Sequence, residues 1–368
     1  MTEIKNGKIP FSYESILNDL FEFHSSFKSC KDAYFNQNNR KMFQEIQELL
    51  VSSIISRVIF IGNDFNHFGS FVAMHCLNTA SKPKFKFNSE FYETSEFYDY
   101  VLPKKRDDDT LFILISKSGQ SKIVTKIVDQ LHLLKIDKKL MWFVTNSPGS
   151  INAKHFGFVF PTHVKSEVVH GSKTFQNTVF VLYLISQLLL GKDPLNEENS
   201  EIFENIAQDL SNYKLRHLDI SKKAIEFLGK NFKFLYFISK GISQSTANNS
   251  ALLNLSLYNI FSESISLGQI LPRSLEVSSD IVRCFFLVNN EHGEFMENLP
   301  SDINAISNNL GRTILITNNN NLVSSVKNNS LILPIKYQCD ITALSPIFES
   351  IIIQSILIEY VKSKDLII

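Results

Sequence analysis

"FILISKSGQSKIVTKIVDQL", residues Phe112–Leu131, reads in three parts. Phe112–Ile115 is wholly apolar, as in a strand covered on both faces. Ser116–Ser121 is a loop of three serines, a lysine, a glycine and a glutamine. From Lys122 onward the apolar residues fall at helical spacing. A strand that passes through a polar loop straight into a helix is one step of a parallel α/β sheet.

That step recurs. "CFFLVNNEHG" (284–293) pairs Asn289 with Ser116 at an offset of 173. "RVIFIGN" and "FLYFISKG" pair Gly62 with Gly241 at 179, and "MWFVTN" and "TILITN" pair Asn146 with Asn318 at 172. "FGFVFP" and "SLILP" pair Pro161 with Pro334 at 173, and "LLLGKD" and "YVKSKD" pair Asp193 with Asp365 at 172. Landmarks repeated at a nearly fixed spacing mean two copies of one domain. The pattern predicts a helical arm over 1–40, a first domain over 41–195, a helical connector over 196–230 and a second domain over 231–368. Each copy is read as α/β, a doubly wound parallel sheet in a three-layer α/β/α sandwich, with its binding crevice where strands end in Gly, Ser or Asn.

Composition narrows the function classes. Hydrophobic residues make up 44% and charged residues 20%, enough for packed cores. Lys plus Arg and Asp plus Glu balance at 37 each, against a nucleic-acid partner. The N-terminal stretch is charged and broken, unlike a signal peptide. The longest apolar run, Thr178–Gly191, is short and interrupted by Gln187, so no membrane span is expected. Cys30, Cys76, Cys284 and Cys339 lack C-x-x-C spacing, so no zinc or other metal site is expected and a cytoplasmic location is.

The Ser116–Ser121 loop has two readings. Its serines can cap the following helix. Alternatively, Gly119 lets the backbone approach a ligand, the hydroxyls donate to phosphate oxygens, and the helix N-terminus favours an anion. The repeat decides between them. A shift of 173 puts Asn289, Glu291 and Glu294 at Ser116, Ser118 and Ser121, and two carboxylates there would repel a phosphate. The fold therefore does not demand the hydroxyls, and the cradle is preferred. A nucleotide-dependent oxidoreductase is disfavoured, since "GNDFNHFG" (62–69) lacks the middle glycine of G-x-G-x-x-G.

The double repeat and the Ser-x-Ser-Gly-x-Ser loop resemble the sugar isomerase domain proteins. These include the isomerase half of glucosamine-6-phosphate synthase, fructosamine-6-phosphate deglycases and related phosphosugar isomerases. "TNSPGS" (145–150), "SEF" (89–91), "SEVVHGSKTF" (166–175), "SES" around Glu263 and Gly268-Gln269 are similar to family segments in order and spacing. The resemblance implies flavodoxin-like domains, a sugar phosphate ligand, no cofactor and a homodimer with its site near the subunit interface. It places Ser116, Lys117, Ser118, Gly119, Ser121 and Asn63 around the phosphate, and Ser172 and Lys173 on the sugar. With Thr at position 2 and a short arm before the first domain, no glutaminase half is expected.

The chain departs from the family where chemistry is done. The family's base, a Glu, and its ring-opening His fall at Ser256 and Pro272, and a helix Lys and Glu become Leu253 and Asn249. At the first strand's mouth a Thr/Ser pair becomes Asn63-Asp64, where Asp64 must turn away or pair with Lys117. Replacement acid or base groups could be Glu167 and His170, with Lys173 and His67 as further candidates and Glu263 retained from the family pattern. Two functions remain open: an isomerase or deglycase of a phosphorylated (amino) sugar or fructosamine 6-phosphate with relocated catalytic groups, or a phosphosugar-binding sensor or regulatory protein that has lost the chemistry.

Overall fold

The computed structural model describes residues 11–81, 83–169, 171–258, 260–270, 281–289, 298–326 and 328–364. Contacts divide the chain into two units: Ser25–Ala207, and Met1–His24 together with Gln208–Ile368. The divisions fall within two helices, Phe23–Tyr34 and Glu197–Leu228. The latter covers nearly all of the segment read as a connector.

The first unit holds β1 (Arg57–Gly62), β2 (Asn88–Glu93), β3 (Thr110–Ile115), β4 (Met141–Thr145) and β5 (Phe158–Pro161). They form one parallel sheet in the order β2-β1-β3-β4-β5. β3 and β4 are buried at every position, because helices cover both faces. Each buried Ile, Leu or Phe contributes about 1.5–3 kcal/mol relative to exposure. The helix Asp64–Thr79 follows β1, and Lys122–Leu133 follows β3. Val124, Ile127, Val128 and Leu131 of the latter enter the core beside Phe112 and Leu114. The helix Lys173–Leu189 closes the unit with all of its residues buried. It packs on Asp64–Thr79 closely enough that a methyl at Gly69 would press on Thr178.

The second unit repeats this plan with β6 (Phe234–Ser239), β7 (Phe261–Ser266), β8 (Val282–Leu287), β9 (Thr313–Thr317) and β10 (Ile332–Lys336). Its parallel order is β10-β9-β8-β6-β7. With β6 as the first strand of the copy, this is the 2-1-3-4-5 order of the first unit. The tandem doubly wound fold predicted from the repeat is therefore present. The helix Ser345–Ser363 starts with a proline in its first turn and is buried from Ser345 to Val361. The segment Thr342–Ser363 has mean hydropathy 1.4, apolar enough by composition to cross a membrane; here its most apolar part is wholly buried in the core.

Candidate functional site

In a 2-1-3-4-5 sheet, neighbouring connections leave in opposite directions between the first and third strands, opening a crevice at their carboxyl ends. In the first unit Gly62, Glu93 and Ile115 end their strands in register. Asn63 and the Ser116–Ser121 loop therefore stand side by side at the crevice. Asn63 is fixed by Thr94, whose hydroxyl donates to the Asn63 amide oxygen. Asp64 takes φ 49, a left-handed conformation uncommon for a residue with a side chain, and points to solvent.

The serine loop is tied down through its backbone. The Lys117 carbonyl accepts from the Asn146 N–H at 3.1 Å and from Thr145 Oγ1 at 3.2 Å. Asn152 donates to the Gly119 carbonyl at 2.9 Å. Asn146 in turn grips Val164 after β5, donating from Nδ2 to its carbonyl at 2.6 Å and accepting its N–H at 2.7 Å. Gly119 has φ 62, and a Cβ there would overlap Ser150 Oγ. Ser150 Oγ is itself buried without a hydrogen-bond partner.

Capping does not account for the serines. Ser121 occupies the cap position of Lys122–Leu133, but its side chain makes no cap hydrogen bond. Ser118 accepts from the Gln120 N–H at 3.2 Å in a small turn of its own and is otherwise exposed. Ser116 lies buried at the strand mouth. The loop thus presents hydroxyls, a left-handed glycine and the first turn of a helix to one space, an arrangement suited to an oxyanion.

Lys117 forms an ion pair with Glu167. The Glu167 side chain is 2% exposed. It also accepts from the Gly171 N–H at 3.1 Å, the Thr174 N–H at 2.9 Å and Thr174 Oγ1 at 2.9 Å. Burial pushes its pKa up, but the Lys117 charge and the two backbone N–H groups outweigh that and hold it below the usual carboxylate range. Glu167 is thus the anionic clamp between the serine loop and the start of the helix Lys173–Leu189. Of the two outcomes anticipated for Asp64, turning away or pairing with Lys117, its exposed side chain fits the first. Gly171, at φ 86, lies so close to the Phe65 ring that a Cβ would overlap it.

Ser172 and Lys173 are buried at the start of the same helix, Lys173 at 2% exposure and held by neighbours. His170 lies outside the described residues, as do Pro272, Glu291 and Glu294. His67 stands one turn into Asp64–Thr79 with its ring 4.9 Å from that of Phe91. Burial pushes its pKa down, and its Nδ1 has no hydrogen-bond partner. Glu263 is exposed in the middle of the edge strand β7, opposite Tyr236, and not at a strand's carboxyl end. Ser256 lies exposed in a π-helical turn, Asn254–Tyr258, its hydroxyl directed to the Leu253 carbonyl at 3.4 Å. Ser150, Asn152 and Thr94 are the members of the crevice that sequence reasoning missed. Ser150 closes the quoted "TNSPGS" segment, but nothing local signals Thr94.

The matching end of the second sheet is built differently. Gly241, at φ 58, turns the chain after β6, and Ser243 Oγ donates to Glu349 Oε1 at 2.6 Å. Tyr337 donates to the same oxygen at 3.1 Å, and Asn289 donates to Ser243 Oγ at 3.2 Å. Glu349 is wholly buried. At this end the chain's own hydroxyls converge on a buried carboxyl.

This architecture is the fold of tandem sugar isomerase domain proteins, which the chain also resembles in sequence. It is 25% identical over 296 residues to the isomerizing glutamine–fructose-6-phosphate aminotransferase of Thermococcus kodakarensis. That match covers 77% of this chain and 46% of the relative, so the chain spans about half the length of the curated relative it matches. Among solved structures, the C-terminal domain of glucosamine-fructose-6-phosphate aminotransferase from Francisella tularensis superposes with TM-score 0.73, 17% identity and 96% of both chains covered. Glucosamine-6-phosphate deaminase from Thermotoga maritima gives TM-score 0.64, 17% identity and 94% of both chains. No protein-family model matches the chain.

Proposed function

We propose that the chain binds the phosphate of a phosphorylated sugar or amino sugar at the Ser116–Ser121 loop of its first domain. The observation that carries this reading is the loop itself. Its Ser121 hydroxyl makes no cap bond, and Ser150 is buried without a partner against a left-handed Gly119. Ser116, Ser118, Ser121, Gly119 and Asn63 would surround the phosphate. Lys117 supplies positive charge one carboxylate removed, and Ser172 and Lys173 lie along the segment leading from Glu167 toward the sugar.

The geometry favours binding over turnover. A base for the C2 proton needs a pKa near the working pH, whereas Glu167 is held low by Lys117 and its N–H donors. Ser256 offers no carboxylate. We therefore place a phosphosugar sensor or regulatory role first. Isomerisation or deglycation is the second reading, supported by the likeness to an isomerizing aminotransferase.

Two measurements separate these readings. Fructose 6-phosphate or glucosamine 6-phosphate at 100 times Kd should stabilise the chain by about 2.7 kcal/mol, and Ser118→Asp should abolish the effect. If the Asp variant keeps it, the phosphate cradle is wrong. Exchange of the sugar's C2 proton with deuterated water should be absent. Its presence would establish turnover in place of the sensor role.

A further inference from the structure

The first sheet has a second opening, at the strand ends away from the serine loop. Arg57 and Thr110 start β1 and β3 in register. The segments leading into them, around Ile54 and over 103–109, line a trough of about 770 Å³. The backbone that shapes it is pinned to the sheet. The Asp109 carbonyl accepts the N–H groups of Ser56 and Arg57 at 2.9 and 3.3 Å, and Asp109 Oδ2 accepts from Ser56 Oγ at 2.7 Å.

The charged residues of the trough, Lys104–Asp109, are not equivalent. Arg106 Nε donates to Asp108 Oδ1 at 2.7 Å, and Asp107 Oδ1 accepts the Asp109 N–H at 3.4 Å. With Asp109 held by Ser56, each carboxylate has a partner within the fold. Lys104 and Lys105 are exposed and make no ion pair or hydrogen bond with any described residue. Other cations of this unit are matched: Arg57 by Glu90, Lys117 by Glu167, and Lys28 and Lys31 by Glu204. Beside the two lysines, Ile54 and Pro103 supply an apolar wall. Ile54 is 87% exposed, and Val51 on the preceding helix is 65% exposed. Exposed apolar surface rimmed by polar groups marks contact sites.

The shape and charge select the occupant. A small molecule is buried over most of its surface in its site, and a wall whose main apolar side chain is so exposed cannot enclose one. An extended chain can lie along the trough and cover Ile54. A nucleic-acid strand is disfavoured, because Asp107–Asp109 would face its phosphates and the chain has no basic surplus. We infer that the trough docks an acidic segment of a partner protein, with carboxylates on Lys104 and Lys105 and an aliphatic side chain against Ile54 and Pro103. The inference does not depend on the phosphate loop, which lies at the opposite strand ends.

The test is isothermal titration calorimetry of the full chain with an N-acetylated peptide that alternates glutamate and leucine. The wild type should bind it, and raising salt from about 50 to about 300 mM should weaken binding several-fold. Lys104→Glu combined with Lys105→Glu should weaken it about tenfold or more, and Ile54→Ser about threefold. All three side chains are exposed, so Tm should not move. A peptide with glycine in place of leucine should bind more weakly. No binding by the wild type, unchanged binding in the lysine double variant, or equal binding of the glycine peptide would overturn the inference. Octanoate or a thymidine oligonucleotide that binds more tightly than the peptide, and is lost in the same variants, would overturn it by giving the trough another occupant. Peptide binding should survive Ser118→Asp, and a failure of sugar phosphates to stabilise the wild type counts against the loop alone.

Discussion

The carboxyl ends of the two sheets share one topology and have opposite chemistry. In the first, Ser116–Ser121 is held through its carbonyls, by Asn146, Thr145 and Asn152, while its hydroxyls stay largely uncommitted to the fold. In the second, Ser243, Asn289 and Tyr337 converge on a buried carboxyl. The repeated landmarks of the sequence underlie the shared plan. The difference is that one strand-end topology leaves its loop hydroxyls largely uncommitted, whereas the other turns them onto a buried carboxyl.

The largest effect that could break this contrast is at Glu349. Glu349→Ala strands the Ser243 and Tyr337 hydroxyls in the core, so urea unfolding should show a loss of about 3 kcal/mol. A loss below about 1 kcal/mol would mean that the second cluster is not a clamp. Next comes Gly119→Ala, which combines a left-handed backbone with overlap on Ser150. It should cost about 2 kcal/mol and remove stabilisation by sugar phosphates, read by thermal unfolding.

Glu167→Gln should cost about 1–2 kcal/mol at neutral pH, since the buried partner of a lysine whose side chain is 28% exposed is lost. The same residue gives a pH signature. Its folded pKa lies below its unfolded value, so its contribution is complete above the unfolded value of about 4.3. The contribution is lost as pH falls through the lower folded value. Acid unfolding of Glu167→Gln should therefore be shallower than that of the wild type, and equal slopes would remove Glu167 from the clamp. The smallest effect concerns His67. Burial lowers its folded pKa, so the folded state carries fewer protons than the unfolded below about pH 6.5, and stability falls with pH there. His67→Phe should flatten that decline by a few tenths of a kcal/mol.

Much of the fold was legible because parallel strands buried on both faces read as apolar runs, and their ends recur at nearly constant offsets. Gly62 and Thr145 end their strands, and Ser116 follows one, as the landmarks indicate. The edge strands were harder. "NSEFYE" and "FSESIS" are polar and half exposed, without the alternation or apolar run that marks a strand. At the site, the serine loop announced itself through residue types. The role of Glu167 did not, because a carboxylate that clamps a loop to a helix start has the same letter as one that moves protons. Only the donors around it, Lys117, Gly171 and Thr174 among the described residues, distinguish the two.

The Glu167 clamp also provides a spectroscopic reporter. Its carboxylate is shared between a lysine in the serine loop and the amide protons of Gly171 and Thr174. An anion drawn to Lys117 must redistribute charge on that carboxylate, and the two amides will feel it without touching the ligand. Their 15N–1H resonances, protected from solvent exchange by the same bonds, would register occupancy of the loop from behind.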